Sequence, residues 1–328
     1  MKYHIGITWK SILCLLCLGS FVLAEGSGGF AGSFLRVGLG PRALSMGNAQ
    51  VATSDNIYGL FYNPGGVAHL KDRELALSLS NMSLDRRFNF IGISTPLPPF
   101  AGVAFGWINS GVKDLRSYNS NGEDVGEVEN GTNAVYAAFA IQPIAMAQKD
   151  GALKKVPADF LSIGLAVKFL QEDISDKGDF DYSANGVGVD FGVLLRPVAS
   201  LSLGYQIKDL GSKLSSNTND LFTRGSQLDN AFPLTQKVGL FWISPLKWAA
   251  LAYDFEWNDK GTEKQHAGLE LSSDYAVGRV GYDDGRFTAG GGIDFDAIQG
   301  LRMALDYAFV TSVIDEGGSH LFSWRVLF

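Results

Sequence analysis

From residue 74 onward, apolar and polar side chains alternate along the chain in runs of about ten residues. Leu161, Ile163, Leu165, Val167 and Phe169 alternate with Ser162, Gly164, Ala166 and Lys168. Leu201, Leu203, Tyr205 and Ile207 alternate with Ser202, Gly204, Gln206 and Lys208. Tyr253, Phe255 and Trp257 oppose Asp254 and Glu256 in the same way, and Leu301, Met303 and Leu305 oppose Arg302, Ala304 and Asp306. Successive side chains of a strand point to opposite sides, so a two-residue period predicts β-strands whose faces meet different surroundings. One face here is large and apolar; the other is glycine, alanine or charge. About fourteen such runs follow one another, from 74–83 to 320–328.

A soluble sandwich would also alternate. Two features favour a barrel that crosses a membrane. The runs last about 9–12 residues, near the 9–11 that span a bilayer at a tilt. Trp242, Trp248, Trp257 and Trp324 gather towards run ends, as interfacial girdles do. An even strand number is what a closed bacterial barrel requires. The long connections 111–132, 172–183 and 211–232 all follow odd-numbered runs, whereas those after even-numbered runs are mostly tight, such as 197–200 and 245–247. Residues 144–158 break that pattern. The predicted fold class is an all-β, transmembrane antiparallel β-barrel of about fourteen strands over 73–328.

The N-terminus reads differently. Lys2 and Lys10 precede an apolar core, Ile12 to Leu18, and Val22-Leu23-Ala24 supplies a small residue for cleavage, so 1–24 is expected to be a secretory signal. Both cysteines, Cys14 and Cys17, lie inside it. The chain beyond it therefore holds no disulfide framework and no thiolate nucleophile. Residues 25–72 show no alternation and are dense in Gly and Pro, which marks tight turns between very short helices. A segment this apolar loses about 25 cal/mol per Å² if left in water. Its economical place is the barrel lumen, as a helical plug, because a fourteen-strand barrel is wide enough to need filling.

Charge and composition remove other classes. The formal net charge is −7, and no basic stripe interleaved with aromatics points to nucleic acid. Beyond the N-terminus no apolar stretch approaches the roughly 20 residues of a membrane helix. His69, His266 and His320 lack metal-ligand spacing, and no nucleophile elbow, Walker loop or His-Glu-x-x-His is present. Neither an enzyme nor a cofactor or metal site is predicted. The inner wall instead carries charges of both signs: Lys168, Asp190, Lys208, Asp254, Glu256, Glu270, Asp294, Arg302, Asp306 and Arg325. Opposed pairs would line a wet lumen and hold the plug, with Arg42 and Asn63 as candidate plug contacts.

The final strand places Phe322, Trp324, Val326 and Phe328 on one face and ends on Phe. It resembles the C-terminal signal by which the barrel assembly machinery recognises bacterial outer-membrane proteins. The stretch Phe34 to Ala49, with Arg42-Ala43 and Met46-Gly47-Asn48-Ala49, and then Leu60 to Ala68 with Asn63-Pro64-Gly65-Gly66, resembles the PorV/PorQ branch of the FadL-like outer-membrane proteins. That family usually has Met-Gly-Gly-Ala and Asn-Pro-Ala-Gly, so Asn48 and Gly65 are departures. The resemblance implies a fourteen-strand barrel with an N-terminal plug, in which Arg42, Met46, Gly47, Asn63, Pro64 and Gly65 are the plug or gating candidates. It further implies either uptake of hydrophobic small molecules such as long-chain fatty acids, or a part in type IX secretion that binds exported proteins. Uptake is the reading taken forward, with a purely structural outer-membrane role as a third. The expected surroundings are outer-membrane lipid, with no nucleic-acid partner.

Overall fold

Inward-facing small residues and outward-facing branched or aromatic ones give each strand a narrow and a wide face, which curls the sheet on itself. The computed structural model describes residues 29–149, 151–176, 180–219, 224–298, 300–312 and 317–328; the predicted signal lies outside them. The strands are β1 (Glu74–Asn81), β2 (Arg86–Leu97), β3 (Ala101–Tyr118), β4 (Asp124–Ile141), β5 (Leu161–Ser175), β6 (Asp181–Val198) and β7 (Leu201–Asn217). They continue as β8 (Gln227–Ala231), β9 (Thr235–Ile243), β10 (Ala249–Asn258), β11 (Glu263–Ser272), β12 (Ala276–Asp283), β13 (Arg286–Ile298), β14 (Leu301–Val310) and β15 (Ser319–Leu327). Sequential neighbours other than β8 and β9 pair antiparallel, and β1 pairs with β15 from Glu74↔Leu327 to Asn81↔His320, closing the cylinder.

The barrel has fourteen staves because β8 and β9 share one. The distal half of β7 pairs with β8 and its proximal half with β9. Phe232-Pro233-Leu234 separates them; Pro233 has no N–H for the ladder.

Alternation places Leu77, Ile91, Phe105, Val135, Leu165 and Leu240 on an exposed apolar belt outside the cylinder. Such a belt faces hydrocarbon rather than water. Trp107 and Phe287 stand at one margin of the belt, and Trp248 and Tyr275 at the other. Trp324 departs from the girdle expectation: it sits mid-strand between Leu77 and Leu305.

One end of the barrel carries both Arg73 and Phe328, which exchange backbone hydrogen bonds of 3.1 and 3.0 Å. This terminus end also carries the tight turns. The opposite, loop end differs from the sequence reading. Most of 111–132 is strand, since β3 and β4 run to Tyr118 and from Asp124, and much of 211–232 is β7 and β8. Above a membrane both faces of a strand are wet, so the hydrophobic period that reveals it disappears.

Within the cylinder lies the N-terminal segment. It comprises a 3-10 turn at Ser33–Arg36, helix α1 (Pro41–Ser45), helix α2 (Gly59–Tyr62) and a second 3-10 turn at Pro64–His69. Pro41 and Pro64 each open their element, where a missing N–H costs nothing. The exceptional connection after β4 holds a further helix, α3 (Pro143–Lys149), at the terminus end.

Candidate functional site

The plug reaches the wall where the wall has no side chains. Among the described residues four cross-strand glycine pairs face inward: Gly92↔Gly106, Gly164↔Gly192, Gly204↔Gly239 and Gly268↔Gly281. Each receives a particular piece of plug. A Cβ on Gly268 would stand 2.5 Å from the Met46 carbonyl oxygen, and one on Gly281 would overlap the Gly47 nitrogen. Gly164 and Gly192 are filled in the same sense by Pro64 and the Asn63 side chain, and Gly204 by Val51. Ile57 and Leu60 pack over Gly92 and Gly106, beside Phe90. Gly47 itself has φ +65° and Asn48 also φ +65°, both left-handed. Asn tolerates that conformation better than most residues.

Between these sockets the plug is tied by charge. Arg42 on α1 places Nε 3.2 Å from Glu270 Oε2; burial opposes its charge, but Glu270 raises its pKa above the ordinary value. The same Glu270 oxygen accepts from Arg279 Nε at 2.7 Å, and Arg279 Nη1 donates to Asp306 Oδ1 at 2.7 Å. Asp306 Oδ2 meets Arg325 Nη2 at 3.4 Å, and Arg325 Nη1 meets Glu74 Oε1 at 3.2 Å. Glu74 Oε2 then accepts the plug N–H of Ile57 at 2.9 Å. The relay thus leaves the plug at Arg42, takes side chains from five strands and returns at Ile57. Strand β13 lies between Arg279 and Asp306; Gly292 occupies it there, where a Cβ would overlap Asp306 Oδ1.

Towards the loop end, Asp254 Oδ2 accepts the backbone N–H groups of Gln50 and Val51 at 2.8 and 2.9 Å. Asn48 Nδ2 donates to Asp283 Oδ2 at 3.1 Å, while its Oδ1 accepts the Tyr62 hydroxyl at 2.7 Å. His266 Nδ1 stands 2.9 Å from Asp283 Oδ1 and 3.1 Å from the Gly47 carbonyl oxygen. Lys237 Nζ pairs with Glu256 Oε2 at 2.8 Å. Asn63 Nδ2 donates to the carbonyls of Val51 and Val193 at 2.8 and 2.9 Å, and its Oδ1 accepts Gly65 N–H at 3.0 Å. Gly65 carries no side chain where a Cβ would lie 2.9 Å from the Gly192 carbonyl oxygen.

At the terminus end His69 forms a clasp. Its Nδ1 faces two donors, Arg196 Nη1 at 3.2 Å and Gln142 Nε2 at 3.3 Å. Nδ1 therefore accepts, and Nε2 carries the proton opposite Ser162 Oγ at 3.0 Å. Burial, reinforced by Arg196, pushes the His69 pKa down to about 4.

The two sides of the lumen are unlike. The relay and the Asp254, Asp283 and Glu256 contacts occupy β9 to β15, together with β1. The facing surface over β2 to β6 is apolar: Phe88, Phe90, Ile108, Tyr136 and Leu170 are buried against Tyr58, Leu60 and Phe61 of the plug. Its main charged feature is a buried cluster, completed from β7, in which Lys168 Nζ lies 2.6 Å from Asp190 Oδ1 and 2.5 Å from Asp209 Oδ1. Lys208 Nζ sits 3.3 Å from the centroid of the Phe61 ring, a cation–π contact with the plug.

The sequence-predicted charges therefore fall into different settings. Lys168, Asp190 and Asp254 are fully buried rather than facing a wet lumen. Arg302 instead lies at the terminus-end rim, half-exposed and 3.9 Å from Asp72. Phe322, Trp324, Val326 and Phe328 share the outer face of β15. Sequence reasoning missed Arg279, Asp283 and Glu74, although each sits at an inward position of a predicted strand. It also missed Gln142 and Arg196, which continue the inward positions of the runs 133–143 and 184–196.

No protein-family model matches the chain, nor does any curated protein. Solved structures do match. The toluene transporter TodX of Pseudomonas putida superposes with a TM-score of 0.55 at 12% identity, covering 87% of this chain and 95% of that one. A monoaromatic hydrocarbon channel, CymD, gives a TM-score of 0.57 at 11% identity, covering 89% and 97%. A Pseudomonas aeruginosa FadL homologue gives 0.53 at 10% identity, covering 87% and 97%. The fold is thus that of the FadL-like barrels, and these neighbours are channels and transporters.

Proposed function

We propose that the protein is an outer-membrane barrel that admits hydrophobic small molecules, with residues 1–24 removed on export. The observation that carries this reading is the apolar half of the lumen, Phe88, Phe90, Ile108, Tyr136 and Leu170 against the plug. A channel for sugars or ions would present polar groups there. An apolar solute needs a continuous apolar surface, and displacement of Tyr58, Leu60 and Phe61 would expose one. The fold shared with TodX and CymD supports the same reading. Arg42, Met46, Gly47, Asn63, Pro64 and Gly65 are then gating residues, because they hold the plug to the wall. Phe322, Trp324, Val326 and Phe328 serve insertion by the assembly machinery.

The test is uptake of radiolabelled toluene and oleate by cells whose own hydrophobic-solute channels are deleted, with and without this protein. Accelerated uptake of either supports the reading; swelling of proteoliposomes in sugars without hydrocarbon uptake would refute it. The PorV/PorQ resemblance of Phe34 to Ala49 and Leu60 to Ala68 favours a second reading, delivery of exported proteins. Mass spectrometry of protein purified in mild detergent separates the two, since uptake predicts a bound apolar molecule and secretion predicts exported proteins or a translocon subunit.

A further inference from the structure

The barrel rim is lopsided. Strands β3 to β7 have 15 to 18 residues, whereas β1 and β12 have 8. The apolar belt ends on β3 at Trp107, whose indole N–H donates to Asn133 Oδ1 at 3.0 Å. From Ile108 to Tyr118 the sheet continues for roughly 35 Å along the strand, at about 3.4 Å per residue. The extensions of β3 to β7, with β8, form a half-crown standing clear of the belt. Unlike the barrel it crowns, this sheet is open and has two edges.

The edges are built differently. On β3, pairing with β2 stops at Arg86↔Val112, and the register shifts between Val112 and Leu115 around Asp114, which has φ +56°. Lys113 and Arg116 flank that bulge. Bulges and cations are the usual means by which a free strand edge is blunted. The β8 edge carries neither. Its five residues pair with β7 in unbroken register, from Lys213↔Ala231 to Asn217↔Gln227, and all are exposed. Among the described residues no strand pairs with its other side. The crown is also acidic: Glu123, Asp124, Glu127, Glu129, Asp173 and Asp181 outweigh Lys113, Arg116, Lys213 and Arg224.

We infer that the free edge of β8 is a docking strand for an extended, cationic segment of another protein. The segment adds alongside Gln227–Ala231 by main-chain hydrogen bonds, which is β-augmentation. The acidic crown supplies the selection. Asp181 on β6 and Asp173 on β5 stand two and three strand spacings from the edge, roughly 10 and 14 Å, so at low ionic strength the crown attracts lysine- and arginine-rich chain and repels a second copy of itself. The inference stands apart from the uptake reading, because it concerns the rim and not the lumen.

The experiment uses the full chain in nanodiscs and a fluorescent twelve-residue peptide alternating Lys and Val, carrying one photo-crosslinker. A peptide alternating Glu and Val is the control. The Lys peptide should bind, crosslink to 227–231, and weaken steeply with added salt. Asp173→Lys with Asp181→Lys should weaken it at least about fivefold at low salt. Gln227→Pro with Ala231→Pro, which remove N–H groups that face away from β7, should abolish the crosslink while the barrel keeps its heat-modifiable mobility, which shows that it remains folded. Absence of binding, equal binding of the Glu peptide, or crosslinks confined to β3 would each overturn the proposal. Concentration-dependent dimers linked through β8 would assign the edge to a second copy and equally overturn it.

Discussion

Asp254 on β10 accepts the backbone N–H of Val51 at 2.9 Å, and both groups are buried where the glycine pair Gly204↔Gly239 brings plug and wall together. The same oxygen takes the Gln50 N–H, so one carboxylate satisfies two plug donors. Hydrogen bonds to a charged acceptor contribute about 1.5–3 kcal/mol each, and buried donors left unmade are costly. Asp254→Ala should therefore loosen the plug locally by at least about 3 kcal/mol. Planar-bilayer recordings should show raised open probability with an intact barrel, and a silent channel would count against this anchor.

Deleting Gly26 to Lys71 should leave a barrel that still inserts, because strand pairing and the apolar belt do not involve the plug. Its conductance should rise well above that of the full chain. An inserted barrel whose conductance did not change would mean that the segment does not obstruct the lumen.

The glycine sockets give a steric test. Gly281→Val puts a branched side chain into the space of the Gly47 nitrogen, and the wall cannot retreat because Gly281 is paired across the sheet with Gly268. The plug should yield, not the barrel. Limited proteolysis should cut 29–71 faster, while resistance of the barrel to SDS at room temperature stays as it was.

His69 predicts acid sensitivity. Its pKa falls from 6.5 to about 4 on folding, so between these values the unfolded chain holds a proton that the folded one lacks. The contribution is complete above pH 6.5 and is lost as pH falls towards 4, amounting to roughly 3 kcal/mol. Denaturant midpoints at pH 7 and pH 4.5 should differ accordingly. His69→Phe, which has no proton to gain, should flatten that difference; an unchanged slope would remove His69 as its source.

Phe328 both ends the lipid-facing row of β15 and closes the β1–β15 seam through its exchange with Arg73. Removing it should reduce insertion in cells, read as outer-membrane abundance against total protein. Normal abundance would separate this residue from the assembly signal.

Much of this architecture was legible in the alternation. Leu161 to Phe169 and Leu301 to Phe309 mark β5 and β14 because their two faces meet lipid and protein. The rim extensions of β3, β4 and β7 were not legible, since water on both sides imposes no period. In the lumen, Arg42 could be matched to a carboxylate by charge, but not to Glu270 in particular. That choice depends on barrel closure, which brings together residues 228 positions apart. Likewise His69 reads as a lone histidine until Gln142, Ser162 and Arg196 arrive from three separate parts of the chain.

The paired glycines have a consequence for descent. Most of the outer wall can drift freely among apolar residues, because hydrocarbon makes no demand on shape. At Gly92, Gly164, Gly204 and Gly268 the constraint is distance, and it binds two distant stretches of chain to each other. A plug grafted from another barrel, even one of matching charge, would meet bumps where this wall has hollows. The N-terminal segment and its barrel are thus inherited as one fitted object, and chimeras between relatives should fail at that seam first.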